Sequence, residues 1–202
     1  MQFTTLVLTA ATAAMAAPQV PAGTPNPDIV TFGVISIASG SKVQNAGWGA
    51  MHKGIFTGAH PQSGASCSGG AEQEFATFVL NKPKGSLSLN TDGKPWQQLF
   101  VDRSGMGRGI MQYTTGAEPA SRNAERGGWA IDEASQHLTF AGSDAFLACP
   151  TGVADAADTY SVLPYVGIDN PAGYTNCTSI AARVVVATNP VDCLYSQDQA
   201  TV

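Results

Sequence analysis

Charge is scarce in this 202-residue chain: ten Lys and Arg stand against fifteen Asp and Glu, and charged residues make up 12% of the total. So few basic side chains leave no stripe to lay along a phosphate backbone, so no nucleic-acid partner is expected. Arg103, Arg108, Arg122 and Arg126 do fall close together, but Asp102, Glu118 and Glu125 are interleaved with them, the pattern of a solvated, salt-bridged face. Histidine is equally thin. His52, His60 and His137 are scattered, and with no C-x-x-C or H-x-x-x-H spacing neither a metal site nor a cofactor is expected. Beyond residue 17 there is no long apolar run, and the last residues, Tyr195 to Val202, are polar, so neither a membrane span nor a glycolipid anchor is expected. Helical periodicity is nearly absent, with single turns at most over Val153 to Asp158 and Asn123 to Glu125. Gly105, Gly107 and Gly109 do not spell the G-x-G-x-x-G of a phosphate loop, and Ser104 lacks the glycine two residues earlier that a G-x-S-x-G nucleophile elbow requires.

What is present begins with a leader. Phe3 to Ala14 is apolar, broken only by small hydroxyl residues and too short to span a bilayer, and Ala14-Met15-Ala16 offers the small side chains a signal peptidase reads. Residues 1–16 are expected to be a signal peptide, 17–30 a Pro-rich entry, 31–195 one domain and 196–202 a polar tail. In the oxidising compartment that a leader implies, the four cysteines, Cys67, Cys149, Cys177 and Cys193, are expected to form two disulfides. Three connectivities are open. Cys177 with Cys193 is favoured, as the sequence-near pair closing a short loop around Ile180 to Thr188, which leaves Cys67 with Cys149. Asn176-Cys177-Thr178 is an N-glycosylation sequon on an expected surface loop.

The body of the chain reads as short strands. Phe32–Ile37, Ala76–Leu80, Ser86–Leu89, Leu99–Val101, Ile110–Thr115, Trp129–Asp132, His137–Phe140, Ala145–Ala148, Ser161–Leu163 and Ala182–Val186 are rich in β-branched and aromatic residues and separated by Gly, Asn, Asp, Pro and Ser. Twenty-two glycines and twelve prolines punctuate the chain. The expected fold is all-β, a single antiparallel barrel or sandwich of about ten to twelve short strands. Hairpin-like units starting near Phe32, Ala76 and Trp129 recur at intervals of roughly fifty residues, the rhythm of a β-trefoil.

Two classes of functional residue can be weighed. A glycosidase needs two carboxyl groups facing each other across a sugar, about 5–10 Å apart, and Asp102, Glu118, Glu125 and Asp132 are the available acids. Asp102 before Arg103-Ser104-Gly105, and Asp132 at the end of a strand, read more simply as turn residues whose carboxylates bond their own backbone. A Ser-His-Asp set drawn from Ser104 and His137 has no local geometry behind it. No catalytic residue is expected. For carbohydrate binding, Trp48 between two glycines and Trp96 after the polar Asp92-Gly93-Lys94-Pro95 are the candidate sugar contacts, whereas Trp129 reads as core.

The blocks Phe100-Val101-Asp102-Arg103-Ser104-Gly105-Met106-Gly107-Arg108-Gly109, Tyr113 to Pro119, Arg122 to Arg126, Gly128 to Asp132, Phe146 to Pro150, Asn170 to Gly173 and Ile180 to Val184 together resemble the PhiA family of cell wall proteins of filamentous ascomycetes. More distantly, the order of G-R-G, G-W-x-I and spaced cysteines is similar to the C-terminal domain of Pir-type wall mannoproteins, without their Gln-containing repeats for esterification to glucan. The resemblance implies a secreted, non-catalytic wall protein associated with phialides and asexual spores, with wall polysaccharide or wall proteins as partners.

Overall fold

The computed structural model describes residues 26–70, 72–91, 95–152, 158–168 and 170–197. The expected signal peptide, residues 17–25 of the Pro-rich entry, residues 153–157 of one expected helical turn and residues 198–202 of the tail lie outside them.

Among the described residues there are fifteen strands: β1 (Ile29–Ile37), β2 (Trp48–Met51), β3 (Gly54–Gly58), β4 (Ser66–Cys67), β5 (Phe78–Asn81), β6 (Ser86–Leu89), β7 (Gln97–Asp102), β8 (Ile110–Thr115), β9 (Ala124–Glu125), β10 (Trp129–Ile131), β11 (Leu138–Phe140), β12 (Ala145–Pro150), β13 (Thr159–Pro164), β14 (Thr178–Val186) and β15 (Cys193–Leu194). Nine of them form a closed ring in the order β13-β12-β14-β1-β5-β6-β7-β8-β3, sealed by the pairing of β3 with β13. A sheet closed on itself has no unpaired edge to protect. β2 extends the ring from β3, β9 adds to β7, and β10–β11 and β4–β15 are separate two-stranded ladders.

Alternation along the strands fills the barrel. On β1, Phe32, Val34 and Ser36 point inward while Gly33, Ile35 and Ile37 face out; on β14, Ile180, Ala182 and Val184 are inside and Arg183 and Val185 outside. Trp48 inserts edge-on between Phe78 (6.3 Å) and Phe146 (5.3 Å), and Trp129 packs on Phe140 (4.8 Å) from the β10–β11 hairpin. Each such buried aromatic contributes about 1.5–3 kcal/mol through the area removed from water. Closure depends on Gly58: its φ is 118°, and a Cβ there would lie 2.0 Å from the Asp158 carbonyl oxygen, so no other residue fits the seam.

The barrel corrects several expectations. The β-trefoil is not what forms, because the three similar units have different fates. β5 and β6 are wall strands, β10–β11 is a hairpin outside the ring, and β1 makes only an isolated bridge, Ile35 to Gly47, with the segment after it, its ladders being with β14 and β5. Asn123 to Glu125 is not a helical turn; Ala124–Glu125 pairs with β7, Glu125 opposite Val101. Ile29 and Val30, placed in the Pro-rich entry, already pair with Asn81 and Leu80.

The cysteines pair differently from the favoured scheme: Cys67 is bonded to Cys193 and Cys149 to Cys177. Strand register, not nearness in sequence, decides this. Cys193 stands opposite Cys67 in the β15–β4 ladder. β12 and β14 are neighbours with Ala148 opposite Thr178, so the same register carries Cys149 to face Cys177.

Candidate functional site

A cluster of polar side chains is built on the β7–β8 turn and what packs beside it. At the end of β7 the Asp102 carboxylate turns back, accepting from the Ser104 backbone N–H (2.9 Å) and the Ser121 hydroxyl (2.9 Å), while the Asp102 carbonyl accepts from Gly109 N–H (2.8 Å). Donation from Ser104, first its hydroxyl and then its backbone N–H, and from Ser121 holds the Asp102 carboxyl below the ordinary carboxylate range, against burial, which pushes the other way. The glycines follow from this packing. A Cβ on Gly107 would lie 2.2 Å from Asp102 Cγ, and Gly109 has φ 81° with Val166 Cγ2 2.9 Å from where its Cβ would be. Gly105 meets nothing, and Met106 projects from the tip 96% exposed.

Around this turn Arg103, Arg126, Glu118 and Asp132 are partnered. Arg103 makes a bidentate pair with Glu125 (2.8 and 2.5 Å) and lies over the Phe140 ring. Arg126 lies over Phe100 and donates to the Gln98 carbonyl, the Gln98 side chain and the Thr114 hydroxyl (2.7 Å); its burial lowers its pKa. Glu118 bonds Lys53 and accepts from Thr115 N–H, and the Lys53 hydrogen bond is the main cause of its lowered pKa. Asp132 accepts from the Ser135 N–H (2.7 Å) and hydroxyl (2.8 Å), closing the β10–β11 turn. Ser104 and His137 have separate partners, Gly107 N–H for the Ser104 hydroxyl oxygen and Asp144 for the imidazole. This is the chemistry of fixed turns. Among the described residues no group of three or more His, Cys, Asp or Glu is placed to hold a metal ion.

Of the sugar-contact candidates, Trp48 is a correction. It is 1% exposed, and its indole N–H donates to the Ser36 hydroxyl (2.9 Å), which is itself bonded to Thr57, so no ring face is open to a ligand. The flanking glycines serve packing instead: a Cβ on Gly49 would lie 2.2 Å from the Pro61 carbonyl oxygen. Trp96 is 53% exposed just before β7, and Trp129 is core. Asn176 is exposed with φ 57°, next to the Cys149–Cys177 bond. Sequence reasoning passes over Phe75, a half-exposed aromatic just before β5. Its only signal is an aromatic side chain directly after the polar run Glu72-Gln73-Glu74.

Residues 32–196 match the family described as PhiA-like secreted protein. The chain is 45% identical over 197 residues to cell wall protein phiA of Aspergillus fumigatus, covering 98% of this chain and 100% of the relative. It is 46% identical over 198 residues to cell wall protein phiA of Aspergillus niger, with the same coverage. Against cell wall protein phiA of Emericella nidulans it is 42% identical over 187 residues, covering 92% of this chain and 93% of the relative. No solved structure matches the chain significantly.

Proposed function

The chain belongs to the PhiA-like secreted proteins and is a secreted protein of the fungal cell wall, and from that premise we propose that it serves there as a non-catalytic structural component, acting in the formation of phialides and asexual spores. The developmental part rests on the family resemblance. The non-catalytic part rests on one observation: each acid near the signature turn is committed to a turn or a cation, Asp102 to Ser104 and Ser121, Glu118 to Lys53, Glu125 to Arg103 and Asp132 to Ser135. A hydrolase keeps one carboxyl protonated and another free to attack or to activate water. Hydrogen bonds hold the Asp102, Glu118 and Asp132 carboxyls below the ordinary carboxylate range, the opposite of what a general acid needs.

The proposed partners are wall polysaccharide or other wall proteins, held without a glucan ester, since the Gln-containing repeats are missing. Asn176 is proposed as an N-glycan acceptor on its exposed loop. The deciding experiment incubates the purified mature protein with soluble and insoluble β-1,3-glucan, chitin and mannan and measures both released oligosaccharide and wall association. No turnover is expected, and Asp102→Asn and Glu118→Gln should leave wall association intact. Hydrolysis lost in either variant would overturn the non-catalytic reading; a gene disruption with normal spore counts would overturn the developmental one.

A further inference from the structure

On the outer face of the β1–β14 ladder, Gly33 stands opposite Val185, and the missing side chain leaves bare backbone in a row otherwise covered by Ile35 and Ile37. Phe75 lies across this gap. Its Cδ2 is 3.9 Å from where a Cβ on Gly33 would be, and its Cβ is 3.3 Å from that of a Cβ on Gly47. The two glycines therefore form a seat that positions the ring while leaving it 48% exposed. Beside the ring opens a cleft of about 540 Å³, with Val185 and Val186 in its lining and Asn45, Gln73, Thr188 and Asn189 as polar groups. Val185 and Val186 are themselves 49% and 62% exposed.

The charge pattern says what fits. Two other clefts of similar size carry charge, one Lys82 and Glu133, the other His60, Glu72 and Glu74. The Phe75 cleft has no ionisable side chain in its lining, although the whole chain carries a net charge of −5. Amide and hydroxyl groups around one open aromatic face, without charge, suit a neutral ligand that offers C–H groups to the ring and hydroxyls to the rim. A cationic or phosphorylated partner would find no counter-charge there.

We propose that the Phe75 cleft is a binding site for a neutral wall polysaccharide chain, with the sugar ring stacked on Phe75 and its hydroxyls bonded by the amides and hydroxyls of Asn45, Gln73, Thr188 and Asn189. The proposal rests on the reading of the chain as a structural wall protein and supplies its means of retention.

The test is depletion of the soluble mature protein by insoluble β-1,3-glucan, chitin and mannan, with wild type, Phe75→Ala, Phe75→Trp and Trp96→Ala compared. Retention on at least one polymer should weaken about tenfold or more in Phe75→Ala, be kept in Phe75→Trp and be unchanged in Trp96→Ala. Near-ultraviolet circular dichroism verifies that Phe75→Ala is folded, as expected for a half-exposed side chain. Equal retention of Phe75→Ala and wild type overturns the proposal, as does loss in Trp96→Ala alone, which would move the contact to Trp96. Sedimentation that shows a dimer broken by Phe75→Ala would assign the cleft to a second copy and also overturn it. Retention on no polymer removes this site but leaves the structural reading standing, because that reading fails only on hydrolysis.

Discussion

Gly105 and Gly107, two residues apart in one turn, behave as opposites. Gly107 has no room for a methyl group because Asp102 occupies the space, whereas Gly105 faces open solvent at a negative φ. Gly107→Ala should therefore cost about 1–3 kcal/mol in urea unfolding, the usual range for overpacking. Gly105→Ala should be neutral or stabilising by up to about 1 kcal/mol, by restricting the unfolded chain. If the two variants unfold alike, the turn is not held by Asp102. The same carboxylate carries a pH dependence. Asp102 and Glu118 are lowered in the folded state by hydrogen bonds from Ser104 and Lys53, so their stabilisation is complete above the ordinary carboxylate range of about 4 and is lost as pH falls below it. Asp102→Asn should flatten the acid limb of a stability–pH curve; an unchanged limb would contradict the assignment. A turn here is legible in the sequence from the glycines. Which glycine is indispensable is not, because that depends on a side chain folding back from five residues earlier. Trp48 misleads for a related reason: its neighbouring glycines look like exposure, but Gly49 serves the close approach of Pro61 and Gly47 that of Phe75.

At the scale of elements, the C-terminal segment from Val191 to Ser196 is the least legible part of the fold and among the most bonded. Gln97, fully buried on β7, donates to the Tyr195 carbonyl (2.9 Å) and accepts from the Tyr195 N–H (2.8 Å), while the Tyr195 hydroxyl accepts from Thr77 N–H (3.0 Å). The Ser196 carbonyl accepts from the Tyr113 hydroxyl, and the Ser196 hydroxyl oxygen accepts from His52 N–H (2.9 Å). Tyr195→Phe strands a buried backbone N–H and should cost about 1–3 kcal/mol. A Cys67→Ser, Cys193→Ser double variant, freeing a loop of 126 residues, should cost about 2–5 kcal/mol. Chemical denaturation measures both, and losses within error of zero would mean that this segment is not part of the cooperative unit. A two-residue strand whose partner lies at Ser66–Cys67 leaves no periodicity to read. The strands that were legible, such as Ile110–Thr115 and Ala182–Val186, carry their own β-branched pattern. β2 and β3 do not: Gly49, Gly54 and Gly58 lower their intrinsic preference, and only packing and ring closure make them strands.

For the whole molecule, composition and punctuation suffice for an all-β antiparallel fold, but not to choose barrel over sandwich or to order its strands, and strand order is what sets the disulfides. That order has a consequence for glycosylation. The partner of Cys177 is Cys149, 28 residues upstream, so it is already in the secretory lumen when the sequon emerges, whereas Cys193 follows later. Closure of Cys149–Cys177 can then compete directly with glycan transfer to Asn176, whose backbone in the folded loop sits at φ 57°, away from the extended form of an unfolded acceptor. Partial occupancy is expected in the native chain. Cys149→Ser should raise it by removing the competitor, and Cys193→Ser should leave it unchanged because Cys177 still finds its partner. The readout is the fraction of secreted protein whose mobility shifts on glycosidase treatment, measured for all three chains. Full occupancy in the native protein, or an increase confined to Cys193→Ser, would show that this bond does not close ahead of transfer; absence of glycan from all three would remove Asn176 as an acceptor.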